Sequence, residues 1–143
     1  SKKDFKNLKK NSDVIIFTYR LRSRIVNNYS DYAYCMINNK KIVKKIFEKK
    51  IISKKPFNDQ MVVGTFWFRH SKIFFHSCEE AKRTKNFVNK ELYIANNINL
   101  LIKKGFTVKY LEADFWINLG DVHDFNTYIY WQNFFAENNY LNL

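Results

Sequence analysis

A glycine interrupts a stretch of the chain whose composition otherwise indicates a buried strand. Nearly every residue from Met61 to Phe68 is bulky and apolar, yet Gly64-Thr65 lies in the middle, in a chain with only 3 glycines. Glycine adds no side-chain packing to a strand and loses more entropy than other residues when it is ordered. A glycine inside a strand usually marks a β-bulge or a close approach by a ligand or another backbone segment. Gly64-Thr65 is therefore the first candidate site.

The residue types that most often carry acid–base, nucleophilic or metal chemistry show little pattern. His70, His76 and His123 share neither a ligand spacing nor a paired carboxylate, so we expect no metal or acid–base role for them. Cys78 and His76 lie on one predicted helix, where neighbours diverge by about 100° per residue, so we expect no nucleophilic pair. Cys35 and Cys78 make neither a metal pattern nor a disulfide framework, which favours reduced thiols in a cytoplasm.

The formal net charge of +12 raises the question of a nucleic-acid partner. The composition offers another cause, because residues with A/T-rich codons (Lys, Asn, Ile, Phe, Tyr) are abundant and those with G/C-rich codons (Gly, Pro, Ala, Arg) are scarce. Lys also outnumbers Arg 20 to 5, whereas base reading and bidentate phosphate binding favour Arg. We do not expect nucleic acid to be a partner, although a basic RNA-associated domain stays open as an alternative.

Length and hydropathy favour a single domain over residues 1–143. The chain has 46% hydrophobic residues, enough to bury one core. No apolar run approaches the roughly 18 residues of a membrane span, and the charged opening segment, residues 1–10, lacks the apolar region of a signal peptide. We therefore expect a cytoplasmic protein without a membrane span.

Four segments have the pattern of strands. Residues 13–20 predict a short apolar strand, and residues 32–50 predict a hairpin that turns at Asn38-Asn39. Residues 61–69 carry apolar side chains on both faces, which predicts a central strand covered on both sides. Residues 106–120 predict one or two further strands.

Two helices follow the predicted central strand. The first covers residues 71–85, with Ser71 as its cap. The second covers residues 89–105, with Asn89 as its cap and Gly105 at its end.

A third helix is predicted to open at Asp121, with Asp124 in a variant of the capping box. Its aromatic residues repeat at helical spacing, which indicates core or interface instead of a stacking platform for bases. This apolar stripe consists of Phe125, Tyr128, Trp131 and Phe135. The order of strands and helices predicts an α/β fold with a mixed parallel and antiparallel sheet.

Four segments, in this order and spacing, resemble a known family: IFEKK, NDQMVVGTFWF, NKELYIANNINLLIKKGFTVKYLEADFWINLG and YIYWQNFF. Together they are similar to the C-terminal half of a sugar-phosphate nucleotidyltransferase, more narrowly of bacterial members associated with capsule and surface-polysaccharide synthesis. The resemblance runs from about Asp13 to Phe135. It implies the C-terminal half of a doubly wound, Rossmann-like fold. It also implies a reaction that joins a nucleoside triphosphate (NTP) to a sugar 1-phosphate or similar phosphate and releases pyrophosphate.

The resemblance covers only part of such an enzyme. The family's N-terminal half carries a glycine-rich loop that holds the triphosphate, and this chain has no glycine before Gly64. We therefore expect the sugar-binding portion alone, with the nucleotide-binding part absent from this chain and no activity in isolation. The implied partners are a sugar phosphate and an NTP as substrates and the N-terminal half of the same enzyme, with a homo-oligomer left open. A non-catalytic binding or interaction module of the same fold is the alternative.

Five residues match the family's sugar site. Glu48-Lys49 stands where relatives carry E-K-P, whose Lys contacts the sugar phosphate and whose Glu contacts hydroxyls. The resemblance implies that Gly64 lets the main chain approach the sugar, that Thr65 helps to fix it, and that Glu91, in the place of a G-E-x-x motif, faces it. The residue types suit that chemistry, because a phosphate needs a cation and hydroxyls need a carboxylate or amide. We expect Lys49, Gly64 and Glu91 in one cleft.

Each match keeps an ordinary alternative. Glu48-Lys49 belongs to a charge run, and Lys50 replaces the family's proline. Gly64 is also compatible with a bulge or a tight helix–sheet contact. Glu91 is also placed to complement a helix dipole.

The metal site departs most from the family pattern. Mg²⁺ is expected for the complete enzyme, and many relatives hold it with the Asp of W-x-D-x-G. Here Asn118 takes that place, and neutral amides suit hard Mg²⁺ less well than carboxylates. Asp121 or Asp114 is the candidate replacement.

Overall fold

The computed structural model describes residues 2–22, 28–120 and 122–137. Within these residues the fold has five strands and four α-helices. In chain order they are α1 (Lys2–Lys10), β1 (Val14–Tyr19), β2 (Tyr34–Ile37), β3 (Val43–Phe47), β4 (Gln60–Phe68), α2 (Ser71–Arg83), α3 (Ile94–Lys103), β5 (Val108–Glu112) and α4 (Val122–Glu137). Among the described residues, no helix combines the length and the apolar character needed to cross a membrane.

The strands form one mixed sheet in the order β3-β2-β4-β1-β5. β1 runs parallel to β5, and the other neighbouring pairs are antiparallel. The predicted hairpin is present, with the Asn38 side chain accepting hydrogen bonds from the backbone N–H groups of Lys40 and Ile42. An isolated bridge between Ile42, just before β3, and Lys109 of β5 brings the two edge strands close together, so the sheet curls. The prediction of an α/β fold with a mixed sheet is confirmed.

The main core lies between the sheet and the helices α2 and α3. It is built by alternate residues of the strands and by one stripe of α3, as a two-layer packing requires. Its buried members are Val14, Ile16, Ala33, Cys35, Val43, Ile46, Val62, Ala95, Ile98, Leu101 and Val108. This packing fixes the N-terminus of α3 over the sheet, next to the site described below.

The opening helix α1 covers the opposite side of the sheet and was not anticipated. The Phe5 ring lies 5.8 Å from the Phe17 ring and 6.1 Å from the Trp67 ring. The sequence pattern did not indicate α1, because most of its residues are charged and only a few apolar side chains pack it on the sheet.

β4 is the central strand and both of its faces are covered, as predicted, except at Gly64 and Thr65. Its first three residues are buried, whereas Gly64 and Thr65 are exposed. The ladder with β1 explains the change. Ile16 pairs with Phe66 and Thr18 pairs with Val62, so a single residue of β1 faces three of β4. This is an enlarged β-bulge centred on Gly64.

The predicted helix starts need correction. Ser71 is the first residue of α2 and not its cap; His70 is the N-cap, without a side-chain cap bond. α3 starts at Ile94 with Tyr93 as N-cap, so Asn89 does not cap it.

A tight turn replaces the predicted first turn of α3. Asn89 and Lys90 have left-handed backbone, with φ of 50° and 66°. Val88 and Glu91 exchange backbone hydrogen bonds of 2.9 Å in both directions across them. Glu91 therefore precedes α3 instead of opening it, because Asn tolerates the left-handed region well enough to favour a turn.

The C-terminal part contains one strand, β5, and the helix α4, which starts at Val122. The predicted start at Asp121 lies outside the described residues. No described residue of α4 is buried, and its aromatic side chains are partly exposed. Tyr130, Trp131, Phe134 and Phe135 pack mainly on one another in ring pairs 5.4–6.5 Å apart. The stripe therefore does not join the core.

Candidate ligand cleft

The bulge in β4 opens into a cavity of about 380 Å³ between the sheet and the N-terminus of α3. We call it the Gly64 cleft. It is lined by Asp31, Tyr32, Ala33, Glu48, Val62, Gly64, Phe66 and residues 92–95. Its place, beside the carboxyl end of β3 and the start of β2, matches the edge of an open α/β sheet where ligands usually bind.

Gly64 is required by its backbone conformation and not by crowding. Its φ is +82°, and a Cβ added there would meet nothing within 4 Å. Val62, Gly64 and Phe66 all line the cleft, so the glycine exposes main chain on the cleft side. Both sequence interpretations of this glycine hold together: it forms a bulge, and the bulge leaves the backbone open to a ligand. Thr65, beside it, is exposed and does not line the cleft.

Glu48 follows β3 and presents a carboxylate that the protein leaves unsatisfied. The residue is half-buried, and its Oε2 atom is buried without a hydrogen-bond partner. Burial raises the pKa of Glu48 above its usual value, and the neighbouring Lys49 charge opposes that shift. Buried polar atoms normally have partners, so an exception that lines a cavity is a candidate for ligand contact.

Lys49, Tyr93 and Glu91 form a cluster beside the cleft. The Lys49 Nζ atom lies 5.0 Å from the centre of the Tyr93 ring, and the Tyr93 hydroxyl donates a hydrogen bond to the Glu91 carboxylate. The pKa of Lys49 is raised, first by a side-chain hydrogen bond with Tyr93 and further by the charges of Glu91 and Glu48. Lys49 therefore stays an ammonium at neutral pH and is a suitable partner for a phosphate.

Glu48 and Gly64 line the cleft, whereas Lys49 and Glu91 lie beside it on Tyr93, so of the three residues expected in one cleft only Gly64 lines it. Tyr93 is the residue that joins them, and sequence reasoning missed it. Its neighbour Glu91 drew attention, but the tight turn at Asn89-Lys90 is what directs both side chains towards Lys49. Glu91 contacts Tyr93 and does not line the cleft itself.

The described surroundings of Asn118 do not fit a Mg²⁺ site. Its Oδ1 accepts a hydrogen bond from the backbone N–H of Gly120, and its amide donates to Asp124 over 2.6 Å. No group of three or more metal-binding side chains occurs among the residues that the structure describes. Asp114 is exposed, and Asp121 lies outside those residues. Asn118 connects the loop after β5 to α4.

A second carboxylate, Glu112, lies at the end of β5 within a polar network that the sequence did not reveal. The Thr18 hydroxyl donates to Gln60 Oε1 over 2.7 Å, and Gln60 Nε2 donates to Glu112 Oε2 over 2.8 Å. Arg22 donates to the other oxygen of Glu112 over 3.3 Å, and Arg20 lies 3.9 Å from the first. The network joins β1, β4 and β5 and leaves Glu112 fully partnered.

Comparison with known proteins shows similarity in structure alone. Neither the family models nor the curated proteins include a match to this chain. A nucleoside-diphosphate-sugar pyrophosphorylase from Vibrio cholerae RC9 has a similar structure, with a TM-score of 0.68 and 19% identity over 85% of this chain and 48% of its own. A Bacillus anthracis protein described as a glucose-1-phosphate thymidylyltransferase, solved with sucrose, has a TM-score of 0.58 and 21% identity, covering 87% and 44%.

This chain therefore spans about half the length of the solved structures it matches. At such low identities the similarity concerns the fold. The mixed α/β fold of this chain is that of sugar nucleotidyltransferase-like proteins.

Proposed function

We propose that this chain is the phosphate-acceptor-binding portion of a nucleotidyltransferase. The complete enzyme would join an NTP to a sugar 1-phosphate or similar phosphate and release pyrophosphate. We place it in the cytoplasm of a bacterium, supplying nucleotide-activated sugar for surface polysaccharide. As in other phosphoryl and nucleotidyl transfers, the chain's contribution would be positioning and charge stabilisation, without a protein nucleophile.

One observation carries the proposal: the bulge at Gly64 opens a cleft that has an unsatisfied carboxylate in its wall and an ammonium beside it. Glu48 Oε2 is buried without a partner, and Lys49 lies against Tyr93. The similarity in fold to two sugar-nucleotide proteins supports the same assignment.

Each residue then has a physical role. Lys49 binds the acceptor's phosphate through charge-assisted hydrogen bonds, and Glu48 accepts hydrogen bonds from the organic part of the ligand. Gly64 lets that part approach the main chain. Glu91 is a positioning residue, because it holds the Tyr93 hydroxyl and so the ring on which Lys49 lies.

The proposed partner is the N-terminal half of the same enzyme. The solved neighbours are about twice as long as this chain, so a complete enzyme of that length has a further part available to pack against this one. α4 offers aromatic side chains that the described residues leave exposed, including Trp131 at 48% and Tyr130 at 62%. Exposed apolar patches of this kind usually mark interaction surfaces. The proposal assigns any Mg²⁺ of the complete enzyme to groups other than Asn118.

Activity assays test whether the isolated chain is inactive, as expected of the acceptor-binding portion alone. Purified alone, the chain should release no pyrophosphate from any NTP with any sugar 1-phosphate, because no glycine precedes Gly64 to build a triphosphate loop. Turnover by the isolated chain would overturn the proposal. A non-catalytic module of the same fold would stay inactive even when the N-terminal half is supplied.

Calorimetric titration with glucose 1-phosphate tests the cleft. Lys49→Gln should weaken binding by about tenfold, the scale of one charge-assisted hydrogen bond. Lys41→Gln is the matched control, because Lys41 also has left-handed backbone (φ 58° against 49°) but precedes β3, whereas Lys49 follows it. Equal losses in both variants would show that only general charge attraction is measured.

A further inference from the structure

The lining of the Gly64 cleft is an unusual surface for a neutral sugar. A sugar presents several hydroxyl groups, which need several donors and acceptors in fixed directions. Among the described residues that line the cleft there is no Lys, Arg, Asn, Gln, Ser or Thr side chain. The polar side-chain groups are two carboxylates, Asp31 and Glu48, and the hydroxyls of two tyrosines; the rest of the lining is aliphatic and aromatic.

Aromatic faces together with carboxylates are the chemistry that recognises an organic cation. Three of the residues that line the cleft are aromatic: Tyr32, Phe66 and Tyr93. The negative face of such a ring attracts an ammonium, most strongly where water is excluded, and quaternary ammonium ligands are bound in this way. A buried carboxylate adds a full opposite charge.

Two details of the cleft agree with a cationic ligand. Glu48 Oε2 is buried and lacks a donor, so it would gain most from a cation that donates to it or neutralises it. The Tyr93 ring already attracts an ammonium, because the Lys49 Nζ atom lies 5.0 Å from its centre. Lys49 itself does not line the cleft, so this contact shows only that the Tyr93 ring attracts a cation.

We propose that the acceptor bound in the Gly64 cleft is a phosphate ester whose organic part carries an ammonium or quaternary ammonium group. This inference rests on the proposed function and narrows its substrate class. The cationic group lies between Glu48, Asp31 and the aromatic rings, and the phosphate lies at the Lys49 side. Amino-sugar phosphates and amino-alcohol phosphates share this chemistry.

Paired ligands that differ only in charge provide the test. The chain is titrated calorimetrically at neutral pH with glucosamine 1-phosphate and with glucose 1-phosphate, in which an uncharged hydroxyl of similar size replaces the ammonium group. A second pair is phosphocholine and the analogue in which carbon replaces its quaternary nitrogen. We expect the charged member of at least one pair to bind about tenfold more tightly, the scale of a desolvated cation–π contact combined with a carboxylate.

The result of each pair identifies the source of the ammonium group. A preference in the first pair alone indicates an amino-sugar phosphate, and a preference in the second alone indicates an amino-alcohol phosphate. Either result supports the proposal. If glucose 1-phosphate binds and neither pair shows a preference for charge, the inference is wrong while the proposed function stands. If no phosphate ester binds, both are wrong.

Glu48→Gln assigns the preference to the cleft. The substitution keeps the shape and an acceptor oxygen but removes the charge, so it should abolish the preference for the charged ligand within each pair. Glu79→Gln is the control, since Glu79 is exposed on α2 and does not line the cleft. Circular dichroism of both variants checks that they fold. A charge preference that survives in Glu48→Gln would contradict the role given to Glu48.

Discussion

Two glutamates at the ends of the two edge strands of the sheet have opposite environments. Glu112, at the end of β5, has partners for both carboxylate oxygens: Gln60 and Arg20 on one side and Arg22 on the other. Glu48, after β3, has a buried oxygen with no partner and a raised pKa. Both are partly buried, so burial alone does not separate them.

The difference shows how a structural carboxylate is distinguished from one available to a ligand. Partners within the chain compensate the loss of water around Glu112, and the result is a connection between three strands. Around Glu48 the corresponding space is the Gly64 cleft, so compensation must come from a bound molecule.

Removing the partnered carboxylate should harm folding most. In Glu112→Ala the buried Gln60 amide loses its acceptor and two arginines lose their counter-charge, so the free energy of unfolding should fall by about 2 kcal/mol. Urea denaturation measures it. Asp114→Ala, an exposed carboxylate two residues further on, should change stability by less than about 0.5 kcal/mol. Similar losses of stability in both variants would show that Glu112 has no particular structural role.

Gly64 and Gly105 form a pair that separates backbone strain from ligand contact. Their φ values are +82° and +86°, and neither would crowd an added Cβ. Alanine at either position should therefore cost about 1 kcal/mol of stability through backbone strain alone. Only Gly64→Ala should also weaken binding of a phosphate ester, because Gly105 follows α3 at its far end and does not line the cleft. Equal ligand affinity in both variants would argue against main-chain contact at Gly64.

The unpartnered carboxylate should give the smallest stability effect, and that effect should depend on pH. The pKa of Glu48 is raised above 4.5 in the folded state, so its contribution is fully present below pH 4.5 and is lost as the pH rises through the folded-state pKa. The Glu48→Gln variant has no titrating carboxyl at this position, so it does not lose this stability as the pH rises. Its stability relative to wild type should therefore grow as the pH rises above 4.5, by less than about 1 kcal/mol in total. Denaturation curves across pH that differ by a constant amount would contradict the burial of Glu48.

Local patterns predicted much of the fold. β1, the hairpin and the central position of β4 follow from alternation, turn residues and apolar runs within a few positions. The start of α3 could not be predicted in this way. Asn89-Lys90 would also suit the first turn of a helix, but these residues form a left-handed turn instead. The Glu112 network could not be predicted either, since its hydrogen bonds join residues 42 and 52 positions apart.

The candidate site shows the same limit. Glu48, Lys49, Gly64 and Glu91 were selected through a family resemblance, and in the structure Glu48 and Gly64 line the cleft while Lys49 and Glu91 lie beside it. The burial of Glu48 and the role of Tyr93 depend on where α3 packs over the sheet, which no short stretch of sequence encodes. The bulge at Gly64 was one of two sequence alternatives, and only the backbone showed that it also opens the cleft.

Mapping of backbone amide shifts by NMR during titration with glucosamine 1-phosphate tests the central claim most directly. We expect saturable changes concentrated at Glu48, Lys49, Gly64 and Tyr93, with the remainder of the sheet unaffected. Changes spread over exposed lysines such as Lys44, Lys45 and Lys103, without saturation at Gly64, would contradict it, because they would show general attraction of an anion to a basic chain.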